Sequence, residues 1–285
     1  MITIKNDELQ VSISLQGAEL QSVLDLHTHH EYLWQAVEPN WKKKAPVLFP
    51  FVGALKEKKY RFNDVWYPMG QHGFARDFNF ELVKENGISA SFRLLSNEQT
   101  KTIYPFDFVL EITYALEQRN VLVTYSVHNT TDEIMWFSIG AHPGFSMKFP
   151  CDLIFNQREN LISKILDPNE GIITDKETVV ASVWTGSETV VRLTKESFDN
   201  GALIFEKLNS SSISLIPENG LHPITMEIKD TPYFGVWSDK GPFVCLEPWW
   251  GIADFYNATQ DITQKTGIRN LEPKNSFSCS YNIIL

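Results

Sequence analysis

Three short stretches set an ionisable side chain beside glycine or proline: Gln71-His72-Gly73-Phe74-Ala75-Arg76-Asp77, Gly140-Ala141-His142-Pro143-Gly144-Phe145 and Leu246-Glu247-Pro248-Trp249-Trp250-Gly251. Turns and strand ends of this composition are where folds display functional groups. Histidine and glutamate are side chains that move protons near neutral pH, so His72, His142 and Glu247 are candidates for general acid–base work. The same three residues make a two-histidine, one-carboxylate set that could hold a metal, but no short-range ligand spacing accompanies it. Trp249 and Trp250 are either core or rim aromatics, or flat faces for the C–H surface of a sugar. A glycoside hydrolase needs two facing carboxylates, and Glu247 alone stands out. His27, His29, His30, His128 and His222 receive no role, lying in a polar turn, in an expected strand and beside a proline.

The elements that must position these groups are strands. Val, Ile, Tyr and Phe alternate with polar residues over Leu9 to Leu15, Phe78 to Val83, Phe108 to Leu116, Val121 to Val127, Ser212 to Ile216 and Ser276 to Ile284. That period is the mark of a half-buried strand. Turn chemistry at Asn63-Asp64, Glu85-Asn86-Gly87, Gln118-Arg119-Asn120 and Glu218-Asn219-Gly220 predicts hairpins, and hence antiparallel sheets. The apolar run Phe243 to Leu246 predicts a strand that ends at Glu247. One brief helix is expected, capped by Ser96 with Gln99 returning the bond and stopping before Pro105. Asp167 to Asp175 reads as a loop. With no linker, repeat or low-complexity tract, residues 1–285 are expected to form one all-β domain.

Composition bounds the function. At 43% hydrophobic and 13% aromatic the 285 residues must fold. A net charge of −10 argues against nucleic acid, whose affinity depends on clustered cations; Lys42 to Lys44, with Lys56, Lys58, Lys59 and Arg61, read as a solvated face. Three cysteines without a C-x-x-C pair indicate neither a disulfide framework nor a cysteine zinc site, and fit a reducing compartment. Neither a leader nor a membrane span is recognised, so a cytoplasmic protein, monomer or homodimer, is expected.

Seven stretches, in order, resemble the aldose 1-epimerase, or galactose mutarotase-like, superfamily and within it the LacX-type branch. They are Ala45 to Gly53 (APVLFPFVG), His72 to Asp77 (HGFARD), Tyr104-Pro-Phe106, Phe137 to Phe145 (FSIGAHPGF), Ala202-Leu-Ile-Phe205, Trp237-Ser238 and Leu246 to Gly251 (LEPWWG). The resemblance implies an antiparallel β-supersandwich whose curved sheet holds a pyranose. It implies His142 as general acid, Glu247 as general base and His72 as the histidine that orients the sugar. Arg76 belongs to the branch's HGFAR motif and is expected to hold Glu247 or a substrate oxygen, and Trp249 to contact the sugar. Two departures stand out. Gly201 occupies the place of a frequent aspartate, with Asp199 two positions away, and Ala54 lies where many members have an arginine, the nearest cations being Lys43 and Lys56.

Interconverting α and β anomers requires a proton to leave the O1 hydroxyl and another to reach the ring oxygen. One base and one acid suffice without any cofactor or metal. At reference pKa values of ~4.3 and ~6.5, a glutamate accepts and a histidine donates, each contributing about 10²- to 10⁴-fold. The expected partner is therefore a monosaccharide, with no nucleic acid and no membrane. The free hexopyranose is expected to be preferred over its 6-phosphate, because no arginine fork or glycine-rich helix start accompanies the clusters. The alternatives are a non-catalytic sugar-binding protein on the same fold and a metal enzyme built on His72, His142 and Glu247.

Overall fold

The structure is a computed structural model and describes residues 1–285. It is almost entirely antiparallel β. A ten-stranded sheet runs in the order Val183–Thr185, Glu188–Leu193, Cys151–Phe155, Ser212–Pro217, Ile224–Glu227, Ser276–Ile284, Asn120–Asn129, Phe108–Glu117, Ser89–Leu95, Glu81–Glu85. An eight-stranded sheet faces the same core, with Phe243–Trp250 near its middle, flanked by Tyr233–Trp237 on one side and by Ile139–Ala141 and Gly144–Ser146 on the other. Three N-terminal strands, Ile2–Lys5, Leu9–Ile13 and Leu20–Asp25, form a small sheet of their own. No helix is long and apolar enough to cross a membrane.

The alternation seen in the sequence is the alternation of burial. Phe108, Leu110, Ile112, Tyr114 and Leu116 point inwards from one strand and meet Val121, Val123, Tyr125 and Val127 of its hairpin partner. These residues belong to a contiguous cluster of 62 buried side chains. Burying one such side chain stabilises the fold by about 1.5–3 kcal/mol. The expected turns form at the expected places: Asn63 and Asp64 take φ values of 47° and 60° between Lys59–Phe62 and Val65–Pro68, as a two-residue hairpin requires.

Four expectations are corrected. The strand predicted over Phe78 to Val83 is Glu81–Glu85. Phe78 and Phe80 instead bond to Gly17 and Leu15, because burying Phe80 ties that stretch to the N-terminal segment. The short helix, Glu98–Lys101, is capped by Asn97 with Thr100 returning the bond; Ser96 donates to Asp107 Oδ1 instead. Within Asp167 to Asp175 a strand begins at Ile173, where that side chain is buried. Finally, the strand expected to end at Glu247 continues to Trp250, which sets Glu247 inside a strand and buries it.

Phe243–Trp250 is buried at every position, which means that both of its faces are covered. Val244, Leu246 and Trp250 join the main core. Phe243, Cys245, Glu247 and Trp249 point the other way, and that second face carries the functional groups.

Candidate active site

The chain passes twice beside Phe243–Trp250. Ile139 and Gly140 pair with Trp250 and Trp249; after His142 and Pro143, Gly144, Phe145 and Ser146 pair with Cys245, Val244 and Phe243 in the same register. His142 therefore falls at the register position of Glu247. The ladder is interrupted there, with Leu246 N–H donating to Pro143 O. The result is a histidine and a glutamate side by side, His142 Nε2 lying 3.2 Å from Glu247 Oε2. The contact is off line for a hydrogen bond, and Glu247 Oε2, His142 Nδ1 and the Trp249 indole nitrogen are buried without a partner. All three residues line a cavity of about 810 Å³.

Burial dominates the electrostatics of the pair. Glu247 is 1% and His142 8% exposed. Desolvation pushes the Glu247 carboxyl well above the ordinary range, with the Trp249 indole opposing. It lowers His142 to about 3, and the positive charge of Arg76 adds to the effect. The reference-value expectation of an ionised glutamate beside a protonated histidine is thereby reversed. In the folded chain the favoured arrangement of one shared proton is neutral, with the proton on Glu247 and a neutral imidazole.

His72 enters from another segment. Its N–H donates to Gly53 O and its Nδ1 accepts from Gly53 N–H at 3.0 Å, which fixes the tautomer and leaves Nε2 as the donor. Burial, then His142 and Arg76, depress its pKa well below the usual value. Its neighbour Gly73, at φ +71°, could carry no side chain, since a Cβ would stand 2.1 Å from Phe49 O. The His72 and His142 rings meet edge to face at 5.6 Å. Arg76 reaches the cavity but donates to Gln71 O, not to Glu247. Trp249 lies flat over Gly235, where a Cβ would be 2.7 Å from the indole.

All five candidates from the sequence thus converge on one cavity. Sequence reasoning assigned no site role to Trp41, which stacks on His142 at 4.7 Å, or to Trp237, which meets His142 edge-on at 5.6 Å. Trp237 was reachable in principle as part of a resembling stretch; Trp41, 101 positions from His142, carried no local signal. The metal alternative is also redrawn, because the donors that cluster are His142, Cys245 and Glu247, while His72 Nδ1 is engaged with Gly53.

The lysine run does not reach the cavity. Lys42 pairs with Glu38, Lys43 with Asp77, and Lys44 with Gln21 O and Gln35; Lys56 donates to Tyr256 O. The cavity's cations are Lys58 and Arg76, set among Asp167, Glu170, Asp199 and Glu247. Gly201 and Ala54 both line it, and Asp199 sits at its edge with its carboxylate on Lys240 Nζ at 2.6 Å.

The site thus joins an antiparallel sheet, a cavity and a buried histidine–glutamate pair. The family model for aldose 1-epimerase matches residues 1–205, and the chain belongs to that family. Chromosomal protein LacX of Lactococcus lactis subsp. lactis is 27% identical over 303 aligned positions, covering 100% of this chain and 99% of the relative. Among solved structures, a galactose mutarotase related enzyme from Lactobacillus acidophilus is similar at 34% identity and a TM-score of 0.90, covering 99% of this chain and 96% of that one. A galactose mutarotase-like protein from Lactobacillus casei reaches a TM-score of 0.93 at 28% identity, covering 100% and 99%. The fold is the galactose mutarotase-like sandwich, and the coarse function is that of a mutarotase-like sugar epimerase.

Proposed function

We propose that this protein is an aldose 1-epimerase that interconverts the α and β anomers of an unphosphorylated hexopyranose, with residues 1–285 acting as one domain. The observation that carries the reading is the pair His142 and Glu247, buried and 3.2 Å apart, with unpartnered polar atoms at the cavity. O1 and O5 of a pyranose are bonded to the same carbon and lie closer together than that spacing. Two groups side by side can therefore serve both oxygens, which they would otherwise have to flank from opposite sides.

The reaction needs one proton on the pair. The less favoured charged arrangement is reached when the shared proton passes from Glu247 to His142 across 3.2 Å. From it, Glu247 takes the proton from O1 as His142 gives one to O5, and the C1–O5 bond breaks. The open-chain aldehyde then faces the neutral arrangement, proton on Glu247 and imidazole neutral, which burial favours. After C1 turns, the same two transfers run backwards and the ring closes on either face. Each group acts as acid in one direction and base in the other, so no cofactor enters. His72, through its fixed Nε2–H, and Arg76 orient the sugar hydroxyls, and the Trp249 indole borders the ring. The preference for a free sugar is supported by the cavity wall, where Asp167, Glu170 and Asp199 accompany two cations, Lys58 and Arg76, and the lysine run is paired elsewhere.

The test is polarimetry of freshly dissolved α-glucose and α-galactose. Acceleration proportional to protein concentration is expected. Tight sugar binding without acceleration would overturn the reading in favour of a binding protein.

A further inference from the structure

We propose that His142, Cys245 and Glu247 form an inhibitory binding site for a divalent cation of the zinc class. One ligand atom from each residue lies within 4.8 Å of the other two. His142 Nε2 and Glu247 Oε2 are already 3.2 Å apart. Tetrahedral zinc, with sulfur at ~2.3 Å and nitrogen at ~2.0–2.1 Å, holds neighbouring ligand atoms about 3.4–3.6 Å apart, so side-chain shifts of about an ångström complete the set.

The backbone explains the grouping. Cys245 and Glu247, two apart on one strand, point to the same face, and Gly144 pairs opposite Cys245 just after His142. An independent observation points to a ligand: Glu247 Oε2 has no hydrogen-bond partner although the residue is only 1% exposed. Charge is matched as well. On binding, the Cys245 thiol and the Glu247 carboxyl each release a proton to solvent, and thiolate plus carboxylate neutralise the dication, so no net charge is buried. Sulfur and imidazole select zinc, cadmium or cobalt over magnesium and calcium, which require oxygen ligands. His142 and Glu247 line the cavity, which would supply the cation and a water as fourth ligand.

Such a cation occupies both groups that the proposed reaction uses, so it blocks turnover and competes with sugar. The inhibition rests on the epimerase reading; the binding rests on geometry alone. Unlike the catalytic metal alternative, this site predicts that chelation raises the rate or leaves it unchanged.

Cobalt(II) titration of the reduced protein tests the site through the thiolate-to-cobalt charge-transfer band in the near ultraviolet. Cys151 and Cys279, both on the ten-stranded sheet, are the other thiols that could give one. A band saturating at one cobalt per chain is expected, displaced by zinc, lost in Cys245→Ala and weakened about tenfold or more in His142→Asn. The second variant keeps the thiol, so the assignment does not depend on Cys245→Ala folding. No band at millimolar cobalt, or a band undiminished in Cys245→Ala, would overturn the site. In the activity arm, zinc should inhibit mutarotation with a constant equal to that from cobalt displacement. Displacement without inhibition would refute the inhibitory role, and with it the proton-transfer roles of His142 and Glu247, while the band would still establish the site.

Discussion

Glu247→Gln separates the chemistry from the fold. The amide matches the carboxyl in size at a position that is 1% exposed. It can neither take the O1 proton nor return one. Because His142 lies 3.2 Å away and shares the proton, the substitution disables the pair rather than half of it. A positioned acid or base contributes about 10²- to 10⁴-fold, or about 3–5 kcal/mol of barrier. Stability should move the other way. Burial raises the Glu247 pKa above its unfolded value, so as pH climbs past the unfolded value the unfolded chain ionises while the fold resists, and the fold loses stability. Glutamine removes that cost. At pH 7 the variant's melting temperature should stand at or above the wild type's, while background-corrected polarimetric rates on α-glucose fall at least about a hundredfold. Retention of more than about a tenth of the wild-type rate would refute the proton-transfer role.

Four further outcomes are expected. Because burial holds His142 at about 3, kcat/KM should stay flat from pH 7 down to pH 5 and fall on the alkaline side as Glu247 loses its proton; an acid limb centred near ~6.5 would contradict this electrostatic account. His142→Asn should lower kcat more than it weakens sugar binding by calorimetry, whereas His72→Asn should weaken both; equal patterns in the two variants would end the case for separate roles. Glucose and galactose should outpace their 6-phosphates, and a phosphate preference that fades with salt would show that Lys58 or the lysine run serves the site. Gly235→Ala places a Cβ 2.7 Å from the Trp249 indole, so chemical denaturation should report a loss of about 1–3 kcal/mol together with a raised KM; a neutral substitution would mean that Trp249 can tilt freely.

Which of these features a sequence can disclose depends on how local their cause is. The long hairpin strands, Phe108–Glu117 and Asn120–Asn129, were legible because one buried face imposes a period of two, and Asn63-Asp64 because a tight turn demands its own residues. Glu247 was nominated for the site, but the strand was wrongly expected to end there. Proline in a strand reads as a stop, yet Pro248 falls where the neighbouring ladder is already interrupted at His142-Pro143. The protonation balance was out of reach, since it follows from packing by Trp41 and Trp237, side chains distant in the chain. Cys245 was within reach: two positions before Glu247 on one strand, it must share that face.

The register that sets His142 opposite Glu247 has a consequence for how the protein fails. Sites carried on mobile loops lose activity in mild denaturant well before the global transition, because their geometry has its own low-energy opening. Here the spacing is set at a break in the ladder along the central strand, held by backbone bonds on both sides of that break. Loss of activity and loss of the sheet should therefore be one cooperative event. Turnover then serves as a gauge of global unfolding, and stabilising substitutions anywhere in the sandwich should extend the working temperature by the amount they raise the melting point.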